Sequence, residues 1–505
     1  MSRRAKVLLA SVAALLTFVY WIAGLNDPFS LEPHAWASAH MALLARSLAQ
    51  LGVVHLHGVP IQNNLPLGVQ PDRYVHWPPL YPILLSVAFR IFGESEAVVH
   101  AFVIAVNLCY IGAFYFLVRR CFGRDVATLS LFALLTIPIF IRYGTLVWTP
   151  NAGLGAVCAA IYCFVRGTEA TLNWKWVSTG AVAVALGVLL SWEVAPLGLV
   201  LLGAAMCQRS RARQIAAAVY AVAGLCTVAI VLVLLVSSSP ELRNDLWATV
   251  RFRMGGSYHP ADIPIHAWAD HMEYTVRMTA MGWVRVLGIW GLFLDPLGLL
   301  ATMGLIIWSW NNRKNQPEAF LAVGGLLGIV GVWIAVFPNH VYIHSYQALF
   351  AAPVVSIALG VALNGGFGYL KGAFSRKIIL IAPLILIVPL VWHTTTTFRR
   401  LQPDEVLEYA KDIENSTPAS AVVLSPLSTM VAVYYSHRHI IRAIKDDQAV
   451  RSVTRQAETI FPGSDIYIAI PPGSVEGFSC ASAQFPLVTR TPNMLLFKVR
   501  AGVCD

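Results

Sequence analysis

The stretch "QPDRYVHWPPLYPILLSVAFRIFG", Gln70 to Gly93, decides how this chain is threaded. It opens with charges and a Pro-Pro pair, then runs into apolar residues interrupted by Arg90. If it crosses a membrane, every later segment is inverted; if it lies on the surface, they keep their places. Its apolar part, Pro79 to Phe92, is about 14 residues, short of the roughly 20 that a bilayer core requires. A crossing here would also put Arg119, Arg120 and Arg124 on the outer side, against the bias of basic loops toward the cytoplasm. The segment is therefore expected to lie in the interface, with Arg90 reaching toward headgroups.

Composition sets the frame for that reading. The 505 residues are 57% hydrophobic and 12% charged, about half the charge of an ordinary soluble domain. Mean hydropathy is +0.64, and apolar runs of spanning length recur, which defines a polytopic membrane protein. The net charge of +10 is not spread evenly. The loops "SRRAK", "RRCFGRD", "RGTEATLNWK", "CQRSRAR", "NNRKNQPE" and "YLKGAFSRK" hold 16 of the 36 Lys and Arg residues and three acids. That is the asymmetry of cytoplasmic loops. The remainder carries 20 basic and 23 acidic residues, so the basicity reports orientation and gives no footing for a nucleic-acid partner.

With those loops inside, about eleven spans are expected, near 7–25, 98–118, 126–142, 152–166, 177–191, 195–207, 214–236, 294–310, 318–336, 346–363 and 378–394. The 177–207 pair, interrupted by "SWEVAP", also reads as one long kinked helix. The first span lacks a small-residue cleavage site and is expected to stay uncleaved. An odd count places the amino terminus in the cytoplasm and the carboxyl terminus outside. Residues 26–97 then form a large extracytoplasmic loop, in which "HAWASAHMALLARSLAQLG", His34 to Gly52, has helical periodicity and forms a second interfacial helix. The transmembrane part is taken as 1–397. From 398 to 505 the chain turns mixed and charged, with helical "PDEVLEYAKDIENS" and "DDQAVRSVTRQAETIF" and strand-like "SAVVLS", "DIYIAI" and "NMLLFKVR". This predicts a small extracytoplasmic α/β domain. Cys480 and Cys504 are the two cysteines of that domain, where oxidation is permitted, and are expected to form a disulfide.

Polar residues gathered at one membrane face mark a site. Three segments qualify: the first loop, the 237–293 loop and "FPNHVYIHSYQ". Glu32 and Asp72 flank the two interfacial helices, each beside His and Trp, in "LEPHAW" and "PDRYVHW". A single such cluster is more often structural; two bracketing one surface favour a site. "GESEA", with Glu94 and Glu96, reads as a solvated turn. The pairs "HLH" at 55–57 and "HRH" at 437–439 have strand-compatible metal spacing but lack a third ligand. No nucleophile elbow, phosphate-binding loop, HExxH or CxxC occurs.

Three patches resemble the membrane glycosyltransferases of the GT-C fold, in particular bacterial dolichyl-phosphate-mannose–protein mannosyltransferase-like proteins and the lipid A aminoarabinose transferase. They are "HAWASAHMALLARSLAQLG" with its Ala-Arg, "YVHWPPLYPILLSVAFRIFG" with its Pro-Pro-Leu and Phe-Gly, and "HVYIHSYQALFAAP". The resemblance implies transfer of a sugar from a polyprenyl-phosphate-linked donor to an acceptor hydroxyl of a lipid, glycan or protein, on the outer face of the cytoplasmic membrane. Such chemistry needs a carboxylate to take the acceptor proton, and cations or a divalent metal ion to neutralise the leaving phosphate. Many relatives carry an acidic residue six to nine positions before the Ala-Arg arginine; counting back from Arg46, this chain has Ala37, Ser38 and His40. The base is therefore expected to be Glu32, then Asp72, with His34 or His40 assisting. Arg73, His76, His340 and His344 are expected to hold phosphate or sugar, with Arg251 and Arg253 behind them. Two rival readings remain: a flippase or transporter of a lipid-linked sugar, and an inactive assembly partner.

Overall fold

A computed structural model describes residues 2–31, 35–69, 71–238, 242–255, 284, 294, 296–365, 405–427, 429–441, 447–478 and 484–499. Glu32, His34, Cys480, Cys504 and the expected 378–394 span lie outside the described residues, as does most of the 237–293 loop.

The helical body begins with α1 (Arg3–Ala23), whose N-terminus is capped by Ser2 accepting from the Ala5 amide. Then come α2 (Ala35–Leu51), α3 (Leu80–Phe92) and α4 (Glu96–Phe122). Ser95 caps α4, and Gly123, at φ 86°, ends it where a side chain would be strained. The next segment breaks at Pro138 into α5 (Arg124–Thr136) and α6 (Pro138–Tyr143), because proline cannot continue the hydrogen-bond ladder. There follow α7 (Pro150–Gly167), α8 (Trp174–Leu190), α9 (Leu197–Gln208), α10 (Arg211–Ser238), α11 (Leu242–Arg253), α12 (Pro296–Asn311), α13 (Pro317–Val336), α14 (Pro338–Ile343) and α15 (Ala352–Leu363). Among the described residues five segments are long and apolar enough to cross a membrane: α1, α4, α10, α13 and Ser345–Leu363. The other apolar helices at expected span positions are shorter, down to the 12 residues of α9.

α8 and α9 are two separate helices. Gly180 and Val184 of α8 meet α10 at Tyr220 and Gly224, so the two run parallel. Ala195 and Gly198 meet α10 at Gly224 and Ala221, so α9 runs the opposite way. Glycine at 198 admits the backbone of α10 at a distance no Cβ would allow. The reversal happens at the 3₁₀ turn Trp192–Val194.

Five of the six loops expected on one side meet at one end of the bundle, and the sixth, 369–377, lies outside the described residues. Lys6 pairs with Asp125 at 2.5 Å and donates to Asn364 at 2.6 Å. Arg120 bridges Glu169 and Glu318 at 2.5 and 2.8 Å. Gln208 donates to the Pro317 carbonyl at 3.0 Å.

The opening stretch resolves into α3, 13 residues long, or about 20 Å at the rise of an α-helix, against a core of about 30 Å. Tyr81, Leu85 and Phe89 line its buried face, while Leu84, Val87, Ile91 and Phe92 are exposed. Two expectations need correction. Arg90 does not extend toward headgroups: it donates to the Leu48 and Ala49 carbonyls at 3.1 and 3.2 Å, satisfying the open C-terminal carbonyls of α2. And α2 is no surface helix: residues 37–48 are buried without a break, between α3 on one side and the C-terminal segment on another.

That segment contributes α16 (Glu405–Ser416), β1 (Val422–Leu424), α17 (Met430–Ser436), β2 (His439–Ile441), α18 (Asp447–Ile460), β3 (Ile466–Ile470), β4 (Leu487–Arg490) and β5 (Leu495–Lys498). The sheet order is β2-β1-β3-β5-β4, parallel across β2, β1 and β3 and antiparallel beyond. The expected helices and strands are all present; α17, β2 and β4 are additions. Arg46 donates to the Tyr434 carbonyl at 2.9 Å and lies 4.1 Å over the Tyr434 ring. Asn63 and Asn64 bond the backbone of Val433, Arg438 and Ile440. One continuous apolar core joins this segment to the helical body.

Candidate active site

The first loop folds back on itself between residues 60 and 74. Gln62 takes the Asp72 carbonyl, Tyr74 takes that of Pro60, and Ile61 pairs with Arg73 as an isolated antiparallel bridge. Alternation along such a bridge sends Asp72 and Tyr74 to one face and Arg73 to the other. Asp72 is 3% exposed, and its Oδ1 accepts from Gln62 Nε2 at 2.9 Å. Arg73 instead donates to the Leu56 carbonyl at 3.0 Å, and burial holds its pKa below the usual arginine value. Arg73 therefore braces its own loop and is not among the residues the fold brings together.

Those residues form an aromatic and imidazole cluster where α2, the 72–77 segment and the ends of several helices meet. His40 lies 4.6 Å from Tyr74, centroid to centroid, and 6.0 Å from Trp36. Trp148, in the turn before α7, stands 5.6 Å from Trp36 and 5.8 Å from Trp77. Trp77 reaches His340 at 5.7 Å, and His340 meets His344 at 4.6 Å. His344 in turn lies 5.8 Å from Trp36, which closes the ring of contacts. The Arg253 guanidinium sits 5.3 Å over Trp77. His76 pairs with Thr249 of α11 at 3.1 Å, and its carbonyl accepts from the Trp192 indole at 3.0 Å. Of the residues expected from sequence, His40, His76, His340, His344 and Arg253 are thus assembled together. Asp72 adjoins them through Gln62, which lies beside His40. Arg251 is exposed on α11.

Burial keeps the His40 and His340 imidazoles neutral. Burial, then the neighbouring His76, lower His40 from 6.5 to about 3, with Gln62 pulling weakly the other way. Burial and the Arg253 charge push His340 well below the usual histidine range. Neither ring nitrogen of His40 completes a hydrogen bond, nor do Trp148 Nε1, Trp333 Nε1 or Gln347 Oε1. Such atoms cost about 1–3 kcal/mol each when buried unpaired.

A stability prediction follows from His40. The unfolded chain takes up its proton near pH 6.5 and the folded chain near 3, so stability is full above 6.5 and falls as pH drops through that window. At pH 4.5 the loss is roughly 3 kcal/mol. The thermal midpoint in detergent is expected to fall between pH 7 and 4.5, with a shallower slope in His40→Gln. Equal slopes in the two proteins would contradict a buried neutral imidazole.

One site residue was not anticipated. Glu193, in the turn between α8 and α9, is fully buried and accepts from Ser191 Oγ. Burial pushes its pKa up to about 7, against the opposing pull of Ser191, Gln347 and Arg253. A carboxylate inside "SWEVAP", flanked by two apolar runs, is the sequence signal by which it could have been found.

The candidate metal pair at 437–439 comes apart. His437 has left-handed φ and pairs with Glu414 at 2.9 Å, while His439 starts β2 and bonds the Asn64 carbonyl at 2.9 Å. The strand-like alternation that would align them is broken by the turn. Among the described residues no three His, Cys, Asp or Glu side chains converge as metal ligands.

Comparison with solved structures identifies the fold. ArnT from Cupriavidus metallidurans bound to undecaprenyl phosphate aligns over 99% of both chains with a TM-score of 0.65 at 15% identity. The Archaeoglobus fulgidus oligosaccharyltransferase in its apo form aligns over 93% of this chain and 70% of its own, with a TM-score of 0.58 at 13% identity. The same archaeal enzyme, AglB, in complex with an inhibitory peptide and a dolichol-phosphate, gives 0.57 at 12% identity over 92% and 69%. The chain has the fold of the GT-C membrane glycosyltransferases. Within that class, the family described as dolichyl-phosphate-mannose-protein mannosyltransferase matches residues 76–237, from His76 through Trp148 and Glu193 to the end of α10. The resemblance drawn from the three sequence patches is met by both findings. No curated protein matches the chain by sequence.

Proposed function

We propose that this chain is an integral membrane glycosyltransferase that moves a sugar from a polyprenyl-phosphate-linked donor to an acceptor hydroxyl on the outer face of the cytoplasmic membrane. The N-terminus is cytoplasmic and the 398–505 segment lies outside. The observation that carries this reading is the convergence of buried histidines, Arg253 and the buried carboxylates of Asp72 and Glu193 on an aromatic-walled site. The fold is that of a structure holding undecaprenyl phosphate.

The chemistry divides among these groups. A carboxylate, Asp72 or Glu32, takes the acceptor proton as the hydroxyl oxygen attacks the anomeric carbon. The bond from that carbon to the phosphate oxygen breaks, and the electron pair leaves with the polyprenyl phosphate. Arg253 and the imidazole N–H groups of His76, His340 and His344 meet the developing phosphate charge as fixed donors. Trp36, Trp77 and Trp148 offer flat apolar surface to the sugar ring. Each step is carried by the chain's own side chains.

The test begins with lipid extracts of cells lacking the protein, where the unused polyprenyl-linked sugar accumulates. That lipid, given to purified protein in liposomes, is expected to yield glycosylated acceptor and free polyprenyl phosphate in equal amounts. Movement of the lipid across the bilayer with no covalent transfer would replace the enzyme reading with a transporter.

A further inference from the structure

We propose that Ser38 is a positioning residue whose hydroxyl fixes the turn that seats Trp148 against the rings of the site. The turn runs from Gly144 to Thr149 and joins α6 to α7. Backbone outside regular elements takes its shape from the partners its polar groups find. The Gly144 carbonyl accepts from the side-chain amides of Asn107 on α4 and Asn151 on α7, the latter at 3.3 Å. Tyr143, just before the turn, pairs its hydroxyl with Ser345 Oγ at 2.7 Å. The Val147 amide donates to Ser38 Oγ on α2 at 3.1 Å. Of these holds, the Ser38 bond is the one made next to Trp148.

The indole that follows is 1% exposed and touches three parts of the chain. Its centroid lies 5.6 Å from Trp36 and 6.3 Å from His40, both on α2. It lies 5.8 Å from Trp77 and 6.3 Å from Tyr346. Trp36 and His40 flank Ser38 at two residues on either side, so α2 holds both the indole and the amide before it. Ser38 is fully buried. Without its hydroxyl the Val147 amide must give up a bond where water does not reach, or move to another acceptor and carry Trp148 with it. Ser38 also stands eight residues before Arg46, within the window where the family resemblance leads one to expect an acid. A hydroxyl there accepts the amide without burying a charge, which leaves proton abstraction to a carboxylate on another part of the loop.

Resting on the glycosyltransferase reading, this makes Ser38 a residue that shapes the aromatic wall for the sugar without touching the sugar itself. The positioning is tested without turnover. Wild type and Ser38→Ala, purified in detergent, are compared by amide hydrogen exchange over residues 144–149. Both are also labelled with 5-fluorotryptophan for ¹⁹F NMR, the Trp148 signal being assigned by its loss in Trp148→Phe. In Ser38→Ala the Val147 amide is expected to exchange faster and the Trp148 signal to shift. The signal of Trp310, which packs on Phe320 at the other end of the bundle, stays in place. Ser38→Thr, which keeps the hydroxyl, restores the protection of Val147.

In transfer assays a wall that meets substrate and transition state alike acts on KM. Ser38→Ala is expected to raise KM for the lipid-linked sugar about 10-fold, the span of one neutral hydrogen bond, with kcat little changed, and Ser38→Thr to recover most of it. Unchanged Val147 exchange together with an unchanged Trp148 signal in Ser38→Ala would overturn the proposal, as would equal KM values in two active proteins. If the turn loosens as stated but neither Ser38→Ala nor the wild type transfers sugar, the positioning stands and the proposed reaction fails.

Discussion

Asp72→Asn is expected to lower sugar transfer by roughly 10²–10⁴-fold, the usual span for removal of a general base. The substitution is a clean one. Asn keeps an oxygen where Gln62 donates, so the 2.9 Å bond that fixes the side chain survives, as do the backbone bonds that pair residues 60–62 with 72–74. What is lost is the capacity to take a proton. Initial rates of Asp72→Asn, Glu32→Gln and the double variant, with thermal midpoints as a folding control, separate the two carboxylates. A loss confined to Glu32→Gln assigns the base there; full activity in both single variants and in the double variant removes carboxylate catalysis from the loop. His40→Gln is the companion variant, because the imidazole nitrogens beside Gln62 have no partner of their own.

The second large effect is on stability. Arg46 is 3% exposed and joins three parts of the chain. Its Nε and Nη2 reach Glu94 Oε1 at 2.7 and 2.6 Å. Nη1 donates to Asn64 Oδ1 at 3.0 Å and to the Tyr434 carbonyl at 2.9 Å. Arg46→Ala leaves these acceptors stranded, with an expected cost of roughly 3–5 kcal/mol. Arg46→Lys keeps the charge but loses the planar fork, and is expected to recover only part of that cost. Thermal unfolding in detergent, with limited proteolysis of the 405–499 region, reads the effect. An Arg46→Ala midpoint within a degree or two of wild type would show that the network contributes little.

Arg46 also shows where the sequence is readable and where it is not. The arginine itself stands out, being a charge on an otherwise apolar helix. Its partners do not: Glu94 reads as a solvated turn residue because nothing in "GESEA" reports a guanidinium 48 positions earlier. Arg90 fails in the same way, since local sequence places it on an apolar helix while the fold offers it the last carbonyls of α2. The site behaves differently. Membrane spans exclude polar groups, so the polar segments already point to one face, and together with the family resemblance this recovers His40, His76, His340, His344 and Arg253. The face of each residue is beyond that argument: Arg73, one position from Asp72, lies on the other side of a two-residue bridge. Glu193 was visible as a charge between two apolar runs, yet its meaning depends on α8 and α9 being separate helices, which the apolar pattern leaves open. Trp36 and Trp77 are visible only as neighbours of the flagged polar residues, and Trp148 carries no sequence signal, because aromatic residues are common in any membrane protein.

The ring of contacts runs from Trp36 to Gln347 and returns to α2 through His344. In the order of synthesis, its first wall emerges some three hundred residues before its last. A nascent chain that stops before residue 347 therefore holds histidines without their neighbours. Two separately expressed halves, cut in the poorly apolar region between α11 and α12, would regain the complete ring only by docking. Activity recovered on mixing them would report the assembly of the helical body directly, making the site a built-in gauge of its own completion.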